Sequence, residues 1–418
     1  MLRDYALPPP SPNYQVATLP CPRENDLPEC LSSIPAQDYQ RHVDALDKSI
    51  GVLTPSTFAS LLALSQICKH WRMLPVQYML CGELSIPTDP HPVASGAITD
   101  TYQSTLDGDR VYIKRARKFL EISEDSIYAE VILWKHMDHP NILPLLGVTG
   151  IPFQPVLKWV AGGNLMEYIT RHPLTDRLGL LLGISEALKY LHSLNIALGS
   201  LQGSNIFVDD LGRAYLTDFS LATISPDLKP VALVRPFCPL RWTAPEILGA
   251  DAVISKETDI YSFAMLMIEI YSGAAPFPKC KSTSVMVKVM CGERPERPNN
   301  PTLTDETWAL IQQCSNLEPR RRPEIVEVVR CLERAIIQQG LVTDANKSIV
   351  SNSTLHSVFR LFRRSSHGPP HHQSTSFGTR GGVRNTSRGL GSWLQSLRAW
   401  QRNFRRHPTD VLPEGSPY

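Results

Sequence analysis

The sequence has no cysteine pair spaced C-x-x-C, although it contains nine cysteines. An odd, scattered set suggests neither a disulfide framework nor a zinc site, and reduced intracellular thiols are the simplest expectation. No stretch approaches the roughly 20 apolar residues of a membrane span. The opening "MLRDYALPPPSPNYQ" lacks the apolar run of a secretory leader. A soluble, cytoplasmic protein is therefore expected. No unit of about 20 to 50 residues recurs, which argues against solenoids and propellers. Net charge is also small, at +2, but it conceals an asymmetry. Residues 341–418 carry 11 Lys+Arg against 3 Asp+Glu, whereas residues 1–340 carry 31 against 37. The basic character belongs to the tail.

What is present begins with size. A chain of 418 residues, 42% of them hydrophobic, can bury two or three domains or one large bilobal one. Residues 1–24, rich in Pro and polar groups, are expected to be disordered. Over residues 34–78, Tyr39, Val43, Leu46 and Ile50 recur at helical spacing. "TPSTFASLLALSQICKHWRML" then offers a Thr54 cap and Pro55 before a second apolar stripe. The spacing predicts a helical hairpin, either a partner-binding module or a brace for the neighbouring lobe. From about residue 88 the pattern turns to short β-like runs, "AITDTYQSTL" and "RVYIKRA", joined by the hairpin signal "DGD". A helix over "SIYAEVILWKHM" and a strand "PVLKWV" complete a β-rich lobe that ends near Ala161 to Asn164. Beyond it, Leu178, Leu181, Leu188 and Leu191 stripe one helix, and "TDIYSFAMLMIEIYSG" is apolar on almost every face. The latter reads as a helix surrounded by protein.

Several short segments in chain order carry candidate chemistry. They are "VYIK" with Lys114, then Glu130 in the following helix, then "SNIFVDD" with Asn205, "TDFS" with Asp218, "RWTAPE" with Glu246, and "EPRRRPEI" with Arg322. Taken singly, Lys114 is a strand lysine and Asn205 and Asp218 are turn residues. Taken together, the set resembles the protein-kinase signature over about residues 90–335. The short apolar connections "HPNILPLLGV" and "LRWTAPE" look most like the tyrosine-kinase-like branch, including the kinase-like sets of fungi. The resemblance implies an α+β bilobal fold over 88–337, with a small β-rich N-lobe at about 88–160 and a larger, mainly helical C-lobe at about 164–337. It also implies that Lys114 pairs nucleotide phosphates with Glu130 as its partner, and that Asn205 and Asp218 hold metal. Glu246 would pair with Arg322, and Asp259 would accept hydrogen bonds from the catalytic-loop backbone.

The departures from that signature are as informative. Counting back from Asn205, the H-R-D positions hold Leu198, Gly199 and Ser200. Ser200 stands where an aspartate accepts the substrate proton, and a serine has no useful basicity at neutral pH. Gln202 stands where a lysine steadies the transferred group in kinases of this branch. Leu198 replaces a packed histidine by an apolar side chain. In the Gly-rich loop, "ASGAITDTY" keeps only Gly96, with Ala94, Thr99 and Thr101 at the other defining positions. Strand alternation adds that if Lys114 faces the cleft, so does Tyr112, which sits where "VAIK" has alanine. A phenol ring there would partly fill the adenine site. The expectation is a catalytically impaired pseudokinase, binding Mg2+ and ATP weakly at most and acting as a scaffold or allosteric regulator for signalling proteins. Its rivals are an active ATP-dependent protein kinase and a membrane-recruited adaptor.

The adaptor reading comes from the tail. In the segment 392–407, Trp393, Leu397, Trp400 and Phe404 recur at helical spacing, with Arg398, Arg402, Arg405 and Arg406 largely elsewhere around the helix. A basic amphipathic helix of this kind suits an anionic membrane surface or a partner's groove, and equally a helix folded back on the body. No recognition module accompanies the arginines, so nucleic acid is not expected as a partner.

Overall fold

Side chains alternate across a strand with period two, so one strand can serve two cores. In the computed structural model, which describes residues 34–85, 91–95, 99–117, 124–150, 153–222, 238–249 and 253–340, strand β3 does this. The N-lobe sheet contains β1 (Ala94–Ser95), β2 (Thr99–Leu106), β3 (Asp109–Ala116), β4 (Leu145–Thr149) and β5 (Gln154–Lys158), in the order β1-β2-β3-β5-β4 and all antiparallel. Val111 and Ile113 of β3 join Val156 in a small outer cluster, while Tyr112 belongs to the main core on the other face. The β2–β3 turn carries Asp107 at φ 52° and Gly108 at φ 90°. Two consecutive left-handed residues give the turn a twist that matches the strands, which is what "DGD" predicts.

Ahead of the sheet stand α1 (Tyr39–Ile50) and α2 (Phe58–Trp71). Val43, Leu46 and Ile50 of α1 and Leu61, Leu64, Ile67 and Cys68 of α2 are buried, and Tyr39 stacks on Trp71 at 4.0 Å. The second helix begins later than Thr54 suggests. Thr54 and Thr57 bond each other's backbone N–H through their hydroxyls, at 2.9 and 3.3 Å, and this closes a turn before the helix starts at Phe58. The hairpin continues into the N-lobe: a 3-10 turn, Val76–Tyr78, leads to Met79, which bridges Val148 in parallel, and Leu80 N–H donates to the Val148 carbonyl at 2.9 Å. Helix α3 (Glu124–Lys135) lies between α2 and β4.

The C-lobe holds α4 (Leu165–Arg171), α5 (Arg177–Ser193), α6 (Lys256–Ser272), α7 (Ser282–Met290), α8 (Asp305–Cys314) and α9 (Ile325–Gln338). A two-stranded hairpin, β6 (Ile206–Val208) with β7 (Ala214–Leu216), lies between the lobes. Helix α6 is buried continuously from Thr258 to Tyr271, as a pattern apolar on almost every face predicts. A capping box between Ser255 and Thr258 starts it and Gly273, at φ 72°, ends it. The architecture is mixed α+β, consistent with two lobes meeting at Val160 to Asn164. Residues 1–24, Gly96 and the tail 341–418 with its 392–407 segment lie outside the described residues.

Candidate functional site

Strand β3 carries two side chains into the cleft. Lys114, 2% exposed, bonds Glu130 Oε1 of α3 and Asp218 Oδ1 at 2.9 Å, and its ammonium lies 5.3 Å over the Trp134 ring. Burial works against its charge, but the adjacent Asp218 and Glu130 carboxylates outweigh burial and hold Lys114 above the usual lysine range. Burial also pushes the Glu130 carboxyl upward, against the pull of Lys114. One ammonium thus serves two buried carboxyl groups, and we assign it as fully charged.

Asp218 adopts φ 63°, a left-handed conformation that costs a non-glycine residue about 1–3 kcal/mol and clusters at functional sites. Its carboxylate is bonded on both oxygens, since Asn205 Nδ2 donates to Oδ2 at 3.0 Å while Lys114 takes Oδ1. The same Asn205 amide donates to the Ser200 carbonyl at 2.9 Å. By residue type, Asp218 and the Asn205 side-chain carbonyl could hold a divalent cation. Ser200 is 1% exposed, and its hydroxyl donates to the Asp218 carbonyl at 2.7 Å. That hydroxyl is committed to the backbone. Gln202 reaches instead toward the N-lobe, with Nε2 at 3.5 Å from the Ser95 carbonyl of β1.

Tyr112 fills the inner part of the cleft. It is 1% exposed and lies between the Trp159 ring, 4.6 Å away, and the Phe207 ring, 4.5 Å away. Its hydroxyl donates to the Val160 carbonyl at 2.9 Å, in the segment that joins the lobes. Burial drives this phenol well above the ordinary tyrosine range. At the cleft mouth, Asn164 caps α4 through Oδ1, to Glu167 N–H at 3.0 Å, and crosses to the N-lobe through Nδ2, to the Val93 carbonyl at 2.9 Å. Hydrogen bonds from Asn164 and Gln202 thus tie β1 and the residue before it to the C-lobe.

The surrounding scaffold matches the sequence reading. Asp259 accepts from the backbone N–H groups of Leu198 and Gly199, both at 2.8 Å, and lies 3.0 Å from His192 Nε2. Leu198 is 1% exposed and joins the main core with Trp134 and Phe219, whose rings meet at 4.9 Å. Gly199 has φ 73°, and a Cβ there would lie 2.9 Å from the Ile254 side chain. Both the turn and the packing demand glycine. Arg322 grips Glu246 with two guanidinium nitrogens, at 2.5 and 2.8 Å.

Several functional contacts escaped sequence reasoning: the Val160 carbonyl, the Asn164 and Gln202 crossings, and Glu269. The last is buried in α6, accepts from Gly203 N–H and Trp242 Nε1 at 2.9 Å each, and is pushed up to about 7 by burial. The glutamate within an all-apolar helix was the available signal.

Residues 91–332 match the family model described as protein tyrosine and serine/threonine kinase. Among curated proteins, the chain is 27% identical over 274 residues to tyrosine-protein kinase Abl of Drosophila melanogaster, covering 63% of this chain and 17% of that protein. It is 26% identical over 289 residues to the megakaryocyte-associated tyrosine-protein kinase of Rattus norvegicus, covering 67% and 58%. It is 28% identical over 267 residues to the L-type lectin-domain containing receptor kinase I.8 of Arabidopsis thaliana, covering 58% and 40%. The matched part spans less than two thirds of the length of each of these relatives.

Proposed function

The chain belongs to the protein tyrosine and serine/threonine kinase family, and from that premise we propose that it is a pseudokinase, a scaffold or allosteric regulator for signalling proteins whose cleft is filled by its own side chains. The family as a whole uses ATP and Mg2+. Lys114, Asp218 and Asn205 fit the phosphate and metal ends of that ligand in residue type. The base end does not fit. An adenine needs a flat apolar slot and backbone hydrogen-bond partners, and the Tyr112 ring occupies the space between Trp159 and Phe207 while its hydroxyl takes the Val160 carbonyl. That observation carries the reading.

The transfer end supports it. Ser200 is neutral, buried and bonded to a carbonyl, so the residue at the position of the family's base is not ready to accept a substrate proton. Losing a positioned base typically costs on the order of 100 to 10,000-fold in rate. Gln202 adds no charge to stabilise a phosphoryl group. One observation favours the rival active kinase: the Lys114–Glu130 pair is formed and Asp218 sits beside it.

The deciding experiment measures thermal stability with and without millimolar Mg-ATP, then phosphotransfer by the wild type, Lys114→Met and Ser200→Asp. A ligand that binds the folded state must raise its stability. No shift and no transfer are expected for the wild type. Wild-type turnover that Lys114→Met abolishes would overturn the pseudokinase reading.

A further inference from the structure

Helix α3 is the lever of the cleft, and from Ile127 to Lys135 none of its residues is fully exposed. Glu130 and Trp134, one turn apart, reach inward to Lys114 and Phe219. By helix geometry Tyr128, Ile132 and Lys135 come round to the opposite side. There Tyr128 is 4% exposed, its ring edge-on to Phe153 at 5.5 Å, and Ile132 is fully buried; α2 packs against α3.

A polar knot pins this packing. Asp47 of α1, 4% exposed, accepts from the Tyr78 hydroxyl and the Gln77 side-chain amide and lies 3.3 Å from His136 Nε2. His136 comes directly after α3, and its Nδ1 lies 2.9 Å from the Ile132 carbonyl in the last turn. Lys135 donates to the Leu146 carbonyl of β4 at 2.8 Å, with its ammonium 5.8 Å over the Tyr78 ring. A second carboxylate of α1, Asp44, accepts from Val76 N–H at 2.8 Å and from Gln40, whose amide also reaches the Leu74 carbonyl. One buried carboxylate thus joins α1, the 76–78 turn and the end of α3. A buried carboxylate cannot be abandoned by its donors cheaply, so these elements hold together or part together.

We infer that the α1–α2 hairpin is a built-in conformational brace for the cleft: docked through Asp47, it holds α3 with Glu130 on Lys114, and hairpin and cleft are energetically coupled. Moving Glu130 out of the cleft requires displacing α3, which breaks the Asp47 knot. Coupling of this kind is reciprocal, so loosening the cleft must loosen the hairpin.

Hydrogen exchange on the full chain tests both directions. Asp47→Ala is expected to speed amide exchange across residues 124–135 at least tenfold, with helix α6 unchanged. Lys114→Met is expected to speed exchange across α1 and α2 in the same selective way. Asp47→Asn, which keeps the shape and one acceptor, is expected to give an intermediate effect on α3 and serves if the alanine variant does not fold. Unchanged exchange over 124–135 while 39–71 loosens would make the hairpin a decoration and overturn the brace. Equal acceleration in α6 would overturn it too, as would an α1–α2 pair indifferent to Lys114→Met.

Discussion

Replacing Tyr112 by alanine removes a ring that is 1% exposed, two aromatic neighbours at 4.6 and 4.5 Å, and a 2.9 Å hydrogen bond to Val160. Truncating a buried aromatic costs about 3–5 kcal/mol, the hydrogen bond included in its upper part. At about 2–4 °C per kcal/mol for a domain of this size, the melting temperature is expected to fall by roughly 6–20 °C. The truncation also empties a flat slot with an unsatisfied carbonyl at its edge. A ligand at 100 times its dissociation constant would return about 2.7 kcal/mol, a recovery of roughly 5–10 °C. The assay is a thermal melt of wild type, Tyr112→Ala and Tyr112→Phe, each with and without Mg-ATP. Only Tyr112→Ala is expected to respond. The phenylalanine variant keeps the ring and loses the hydroxyl, at a cost of about 1 kcal/mol. A wild type that responds as strongly as Tyr112→Ala would refute occlusion by the ring. If Tyr112→Phe responded fully, the hydroxyl rather than the ring would be the barrier.

Two further outcomes rest on buried charge. Burial holds Glu269 up at about 7, against an ordinary glutamate value of 4.5, so its share of stability is fully present below pH 4.5 and is lost as pH rises through about 7. Glu269→Gln is expected to flatten that decline, on the order of 3 kcal/mol in full, and urea unfolding at pH 4.5 and 7.5 measures it; an unchanged slope would contradict the assignment. Arg322, whose side chain is fully buried, holds Glu246 by two bonds and lies 5.2 Å over Tyr261. Arg322→Ala is expected to cost about 3–5 kcal/mol. Arg322→Lys is expected to recover less than half of this, because an ammonium cannot form the fork; a lysine variant with the wild-type urea midpoint would refute the role of the fork.

Much of the site was legible because its key residues sit in short motifs at strict spacing. Period-two alternation along β3 was enough to place Tyr112 beside Lys114, and it was the family resemblance of "TDIYSF" that placed Asp259 under the catalytic loop. What could not be read were contacts that end on backbone carbonyls far along the chain. Val160, Val93 and Ser95 offer acceptors that every residue carries, so their side chains announce nothing. Asp47 was hidden for a related reason. At i+4 from Val43 and three residues before Ile50 it borders the apolar stripe, but nothing near it in sequence announces the Tyr78 and His136 side chains that partner a carboxylate there. Gly199 reads in sequence as a lost arginine, while the positive φ and the Ile254 side chain that require glycine there depend on tertiary packing.

The bridge from Met79 to Val148 also bears on where a fragment of this chain can be cut. Strand β4 is the margin of its sheet, and the Leu80 N–H bonded to the Val148 carbonyl, together with Lys135 on the Leu146 carbonyl, covers part of that margin. A fragment cut at residue 91, where the family match begins, would lose this cover along with α1 and α2. It would expose a strand margin beside the stripped apolar side of α3, a surface suited to pairing with other chains. A fragment that begins before Tyr39 is therefore expected to stay monomeric at concentrations where one cut at residue 91 self-associates, which sedimentation of the two would measure.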